Sequence, residues 1–417
     1  MTLIKTSAKA QRRARTLGVV LLVSALAILL LFVPGANAGQ TTTFAFNETR
    51  SEAFAIPELA FPTRAGLYLM AALTAFAGAY QLARGFTRQG AVLGIVAGLF
   101  VLAFLTWAAR GQSMNLTGMM KSSLLRAIPI ILAALSGVMC ERCGIVNIGI
   151  EGMMLSGAFL AALIGSVANN VWVGLIGAML GGALMAALLA VLAIKYRVNQ
   201  IVAGTAINIL ATGLTSYFSS RYLQKYEVLN TPPTFLPIPL PGLSRIPIIG
   251  PALFNHTVPV YLTLVLVIAI QLMLFYTRWG LRTRAVGEHP RAADTLGVNV
   301  FLTRYVNVLL GGCVAGLGGA YLVLSSVARF DELMTAGKGY IGLAAMIFGK
   351  WNPVGALGSS LMFGFADSLQ TRLAILAVPI PSQFLLMAPY LLTMVVLAGV
   401  VGRSRGPAAG GQPYEKE

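Results

Sequence analysis

Charge is the scarcest property of this chain. Only 10% of its 417 residues are Asp, Glu, Lys or Arg, whereas 57% are hydrophobic. A soluble domain carries roughly 25% charged residues, so too little is present here to coat a water-facing surface. That excludes cytosolic enzymes, disordered chains and small secreted modules. Histidine is scarcer still: His256 and His289 are the only two, and they are expected on opposite sides of a bilayer, so they cannot share a metal. Three cysteines give no disulfide framework. Cys140 and Cys143 have CxxC spacing but no second pair or nearby His to complete a zinc tetrahedron, so reduced thiols are expected. A P-loop is missing as well. Gly337-Lys338-Gly339 lacks both the upstream glycine and the hydroxyl residue that a phosphate cradle requires. No cofactor is expected on this chain, and any ATP and Mg must sit on a partner subunit.

What the chain does have is long apolar runs, with a mean hydropathy of +0.80. A spanning helix needs about 20 apolar residues. Uncharged runs cover Leu17–Val33, Gly66–Ala83, Gly90–Ala109, Val171–Ile194, Val198–Ser220, Val258–Thr277, Tyr305–Ala328 and Ala374–Gly402. Ser122–Cys140 and Ile145–Ala168 are long enough but carry Arg126 and Glu151, while Tyr340–Gly349 and Pro353–Gln370 flank Lys350 as a broken pair. The fold class expected is all-α, a polytopic helical bundle of about twelve membrane segments with broken helices. Barrel strands would instead alternate apolar and polar residues.

Lys and Arg set the expected orientation. With the N-terminus inside, 19 of the 30 fall on cytoplasmic pieces, including Arg278, Arg282, Arg284, Arg291 and Arg304 in a single loop. Both termini are then expected in the cytoplasm. The net charge of +17 is thus spread over short loops, not gathered on a nucleic-acid-binding face. The first span has a second reading: a basic start, an apolar run and Ala36-Asn37-Ala38 resemble a cleaved signal peptide. Its length favours retention. Residues 1–110 are expected to form an N-terminal extension with three spans, 111–403 a core, and 404–417 a tail. Within the core, residues 221–257 hold seven prolines and are expected to form an extended external cap, while 278–304 form a cytoplasmic loop.

Glu151 is the one carboxylate expected inside a span away from its ends. Such a group is a functional candidate by default, although it could equally serve to accept hydrogen bonds from backbone freed by Gly144, Gly149 and Gly152. At 100° per residue, Thr205, Asn208, Thr212, Thr215 and Ser219 share one narrow stripe. A stripe of this kind suits a wet pathway, or hydrogen bonds to neighbouring helices. Small residues four apart (Gly90, Gly94 and Gly98; Gly177 and Gly181; Gly312, Gly316 and Ala320) read as packing faces. Pro290-Arg291-Ala292-Ala293-Asp294-Thr295-Leu296-Gly297 has Pro at a first helical position and Gly past the end. That two-turn helix is too short to stand alone, and Ala292 and Ala293 would suit insertion into a groove.

Three stretches resemble one family: Asn147-Ile-Gly-Ile-Glu151-Gly-Met-Met, Gly287-Glu288-His289-Pro290-Arg-Ala292-Ala293-Asp294-Thr-Leu-Gly297, and the run from Gly337-Lys338-Gly339 to Lys350-Trp-Asn-Pro353. The family is the inner-membrane permeases of bacterial ABC importers for nucleosides and simple sugars, whose superfamily includes ribose and branched-chain amino-acid permeases. The resemblance runs from about Ser122 to about Gly402. It implies a type II-like importer permease without enzymatic activity of its own. The implied partners are a separate ATP-binding subunit, a homologous second permease, an external substrate-binding lipoprotein, a small-molecule solute and membrane lipid, with no nucleic acid. It also implies an ATPase-coupling role for Gly287–Gly297, while the residues' own chemistry puts the expected solute pathway at Asn147, Glu151, Thr205, Asn208, Thr212 and Thr215. Nucleosides are the expected solute. A simple sugar such as ribose is the first alternative, and a stand-alone proton-coupled transporter using Glu151 is the alternative from a different class.

Overall fold

The computed structural model describes residues 8–47, 56–376, 378, 387 and 405–416. It divides into two compact units, Met1–Gly118 with Thr371–Ile380 and Met119–Gln370 with Pro381–Glu417. Among the described residues nine helices are long and apolar enough to cross a membrane.

The first unit contains α1 (Ala8–Ala27), which runs on through a π turn to Phe32, then α2 (Thr63–Ala83) and α3 (Gln89–Ala108). Gly78 of α2 brings its backbone against Leu22 of α1, and Phe32 stacks on Trp107 with ring centroids 5.6 Å apart. A small sheet accompanies the helices. Its central strand β1 (Thr41–Ala45) pairs antiparallel with β2 (Leu59–Pro62) and parallel with β3 (Ser113–Asn115). No alternating pattern announces these strands, which are too short to carry one. Buried Thr42 ties them to the helices, sharing a hydrogen bond with Thr63 Oγ1 at 2.9 Å and donating to the Thr106 carbonyl at 3.0 Å. The expectation of a packing face on α3 fails among the described residues: nothing lies within 4 Å of where a Cβ would sit at Gly90, Gly94 or Gly98.

The second unit is built on α4 (Leu116–Arg142), α5 (Ile150–Ala168), α6 (Val171–Ala190), α7 (Gln200–Phe218) and α12 (Val300–Tyr321). Here the small residues do pack. A Cβ at Gly316 would strike the Ala178 carbonyl oxygen, and one at Gly157 would strike Gly316, so α5, α6 and α12 meet backbone to backbone. Close approach multiplies dispersion contacts, which drive helix association where lipid removes the hydrophobic incentive.

Between α7 and α9 (Val258–Tyr276), the proline-rich segment is more structured than a simple extended cap. It contains a short α8 (Ile249–Leu253) and a strand pair, β4 (Ile238–Pro239) with β5 (Asn255–His256). Tyr261 Oη donates to the Ile238 carbonyl at 2.9 Å, and Asn230 exchanges two hydrogen bonds with the backbone of Phe330. Then come α10 (Arg278–Glu288) and α11 (Pro290–Thr295) ahead of α12. The expected break at Lys350 is present: α13 (Lys338–Phe348) and α14 (Pro353–Ile375) are separated by Lys350 and Trp351, both at positive φ. Most of the run Ala374–Gly402 lies outside the described residues.

Candidate functional site

The backbone leaves helical geometry between Arg142 and Ile150, freeing amides and carbonyls in an apolar bundle. Irregular backbone at membrane depth is tolerated only where protein or a wet cavity satisfies it, and here α7 supplies the partners. Gln200 Oε1 accepts from Val146 N at 2.6 Å, Asn208 Nδ2 donates to the Ile148 carbonyl at 2.9 Å, and Asn208 Oδ1 accepts from Gly152 N at 2.8 Å. Gly204 makes this possible, because a Cβ there would lie 2.9 Å from Gly149 N.

Glu151 then reaches a second broken element. Its Oε1 accepts from Gly337 N at 2.8 Å and its Oε2 from Gly339 N at 2.6 Å. Gly337 is the N-cap of α13, with φ of 78°, a left-handed conformation that suits glycine. At Gly339 any Cβ would collide with the Glu151 backbone and carboxylate. A carboxylate against unpaired N–H groups at the positive end of a helix is favourable in both hydrogen bonding and charge. Asn208 completes the junction by donating to Tyr340 Oη at 2.9 Å. The first and third resemblance stretches, nearly 200 residues apart, thus meet at one carboxylate and one amide.

The other pathway candidates are placed differently. Asn147 is buried and directs Nδ2 at Cys140 Sγ (3.4 Å) and Met153 Sδ (3.5 Å), while its Oδ1 has no hydrogen-bond partner among the described residues. Thr205 is exposed and donates within its own helix to Ile201; buried Thr215 donates to Ala211 and Thr212. Thr212 is half-buried and Ser219 buried. The stripe on α7 therefore faces packed protein over much of its length, and its second member, Asn208, binds freed backbone. Cys140 and Cys143 are free and buried, and no cluster able to hold a metal occurs among the described residues.

A second charged constellation went unread in the sequence. Arg126 Nη1 lies 2.8 Å from Asp367 Oδ2, an ion pair joining α4 to α14 across 241 residues. It borders a cavity of about 590 Å³ that Lys338, Tyr321 and the residues around His256 also line. Arg126 was visible as a charge within an apolar run, but its partner sits near the end of a weakly apolar segment, so separation in sequence hid the pair.

At α10–α11, Thr277 Oγ1 caps the first helix by accepting from Gly280 N (3.2 Å), and His289 Nδ1 caps the second by accepting from Ala292 N (3.1 Å). Gly297, with φ of 81°, follows its end. The two alanines part company. Ala293 is buried with Val286, Val300 and Tyr414 inside this chain, whereas Ala292 is exposed. Leu296 is 84% exposed, one helical turn from Ala292. Sequence reasoning overlooked it as the apolar residue open to a partner.

The segment 405–416 packs on this region. Ala409 N donates to the Gly287 carbonyl (2.9 Å), Gly411 N to the Gly144 carbonyl (3.2 Å), and Ala408 N to Glu288 Oε2 (3.2 Å). Lys416 lies 3.8 Å from Asp294, and the Arg304 guanidinium, buried in α12, donates to the Gln412 carbonyl at 3.4 Å. Gly287 must be glycine, because a Cβ would collide with the Arg142 carbonyl.

Comparison with known proteins follows this geometry. The family described as branched-chain amino acid transport system / permease component matches residues 119–401. The guanosine ABC transporter permease protein NupQ of Bacillus subtilis is 42% identical over 71% of this chain and 95% of its own length. The nucleoside ABC transporter permease protein NupC of Lactococcus lactis is 41% identical over 70% of this chain and 95% of its own length. A putative glucose ABC transporter permease protein of Haloferax volcanii is 33% identical over 72% and 98%.

Proposed function

Since this chain belongs to the family of branched-chain amino acid transport system permease components, we propose that it forms the membrane-spanning subunit of an ATP-driven importer that carries nucleosides. The structural observation carrying the permease reading is the junction of two broken elements in which Glu151 holds the N-terminus of α13. Helices interrupted within a bundle place polar backbone at a midplane site, the arrangement used by solute pathways. The solute class is supported by the two relatives named for guanosine and nucleosides, each matched over 95% of its length.

In this reading Glu151 and Asn208 fix the wall of the pathway, and α11 meets a separate ATP-hydrolysing subunit through Ala292, Leu296 and neighbouring exposed residues. A second permease completes the pathway, and an external binding protein delivers solute. The chain lies in the bacterial inner membrane with both termini in the cytoplasm, which puts α10, α11 and the segment 405–416 on the ATPase side. Residues 1–110 are a module added to the core of 111–403.

The test is uptake by the assembled transporter with competing purine nucleosides, ribose and glucose. Nucleosides should block uptake of labelled guanosine at the lowest concentrations. The relative named for glucose favours sugar as the second reading. Sugars blocking uptake while nucleosides do not would establish that reading instead.

A further inference from the structure

The cavity beside the Arg126–Asp367 pair holds about 590 Å³, and the proline-rich segment lines part of it through Pro237, Asn255, His256 and Thr257. Ligand sites for small molecules occupy roughly 300–1,000 Å³, so the space suits a solute of nucleoside size. Its polar equipment comes from separate elements. Arg126 is on α4, Asp367 on α14, Lys338 at the start of α13, Tyr321 at the end of α12 and Thr257 just before α9. Charges inside a membrane bundle are costly and mark solute routes by default. The side chains of this ion pair are 37% and 33% exposed, so neither is sealed from solvent.

Lys338 connects this cavity to the Glu151 junction. Its side chain lines the cavity, while the amides on either side of it, those of Gly337 and Gly339, are held by the Glu151 carboxylate. Glu151 thereby fixes the backbone from which the Lys338 side chain leaves, and Lys338 Nζ donates to the Thr335 carbonyl at 3.4 Å. Asp367 offers acceptors to a vicinal diol, and Arg126 and Lys338 offer donors to a hydroxyl, ring oxygen or base carbonyl. Ser325 and Thr257, also in the lining, carry hydroxyl oxygens with no partner among the described residues, and a rotamer change is enough to turn such a group towards a ligand.

We propose that this cavity, within a single permease chain, is a waiting site for a neutral, hydroxyl-rich solute on its way from the binding protein, with Asp367, Arg126 and Lys338 as its recognising side chains. The proposal rests on the importer reading above and deepens it.

The experiment uses the complete transporter reconstituted with its ATPase and binding protein. Labelled guanosine, ribose and glucose are first offered to the wild type. If none is carried, the importer reading itself fails. The carried solute then serves as the probe for Asp367→Asn and Lys338→Met, with Lys225→Gln on the exposed proline-rich segment as control. Losing one hydrogen bond to a charged group should raise the KM for uptake about tenfold or more, and the control should keep the wild-type KM. A separate measurement does not depend on those variants folding normally. Ser326 is an exposed residue of the lining, and Ser326→Cys should react with a small charged thiol reagent several-fold more slowly when solute saturates the transporter. Unchanged KM in both charge variants overturns the proposal, and so does labelling at Cys-substituted 326 that ignores solute.

Discussion

Replacing Glu151 with Leu removes the acceptor of two backbone N–H groups at once. The Gly337 and Gly339 amides lie 2.8 and 2.6 Å from its oxygens, and the first turn of α13 has no intrahelical partner to offer them. An unsatisfied buried donor costs about 1–3 kcal/mol. Glu151 is only half-buried, which places the pair at roughly 2–4 kcal/mol. Loss of the carboxylate at the helix N-terminus adds about 0.5 kcal/mol. A total near 3 kcal/mol, at 1.4 kcal/mol per tenfold, changes the population of the assembled junction by about 100-fold. Glu151→Gln keeps one acceptor oxygen but turns an NH2 group towards the other amide, so about half that penalty remains, roughly 1–2 kcal/mol. Solute uptake by the whole transporter should therefore rank wild type, then Gln, then Leu, with equal amounts of each protein in the membrane. Equal and complete loss in Gln and Leu at normal membrane levels would refute this reasoning. It would mean that the negative charge itself, rather than its acceptor geometry, is required, and would revive a proton-coupled role for Glu151.

Four further outcomes are expected. Leu296→Asp alters an 84% exposed side chain, so the chain should insert normally while co-purification of the ATPase falls about tenfold, the loss of one interface anchor; Ala293→Asp, which buries an unpaired charge among Val286, Val300 and Tyr414, should cost about 3 kcal/mol and expose the α10–α11 loop to limited proteolysis before any partner is added. Deleting residues 406–417 removes the acceptor of buried Arg304 and the contacts on Gly144 and Gly287, at about 2 kcal/mol, so transport per ATP hydrolysed should drop although the ATPase still binds. Asn208→Ala leaves Ile148 O and Gly152 N without their shared partner, at about 2 kcal/mol, and uptake should fall further than in Thr205→Ala, whose hydroxyl bonds only its own helix.

Much of the bundle could be read from length and hydropathy, because a membrane span must satisfy its own backbone and so announces itself as an uninterrupted apolar run. The break at Lys350 was legible for the same reason: a charge and a proline bracket two short runs. The two-turn helix was legible too, since Pro290 and Gly297 carry its ends in local chemistry. Long-range pairing was not. Glu151 could be singled out as a misplaced carboxylate, but its local glycines suggested local partners, whereas the donors lie at Gly337 and Gly339. Periodicity identified the polar face of α7 but could not say whether water or unwound backbone lay opposite; Asn208 shows that backbone does. The alanine pair at 292 and 293 looked equivalent because the cluster that buries Ala293 includes Tyr414, more than 100 residues later. The α3 glycines have the same spacing as those of α12, yet meet nothing, so spacing alone does not assign a neighbour.

The glycine seam of α5, α6 and α12 has a mechanical consequence. Side chains between helices act as compliant spacers, since rotamers can adjust when one helix slides. Where Gly312 and Gly316 press against the backbone of Gly182 and Ala178, there is no spacer to absorb strain. α12 therefore behaves as a stiff lever set in a solid block. Its 22 residues, at 1.5 Å each, extend about 33 Å, from Val300 beside Ala293 at one end to Tyr321 on the cavity at the other. A tilt imposed at the Val300 end arrives at Tyr321 undamped, whereas a helix cushioned by leucines would dissipate it along the way. Enlarging Gly316 by a single methyl would separate the lever from its block and leave both ends intact but no longer in mechanical contact.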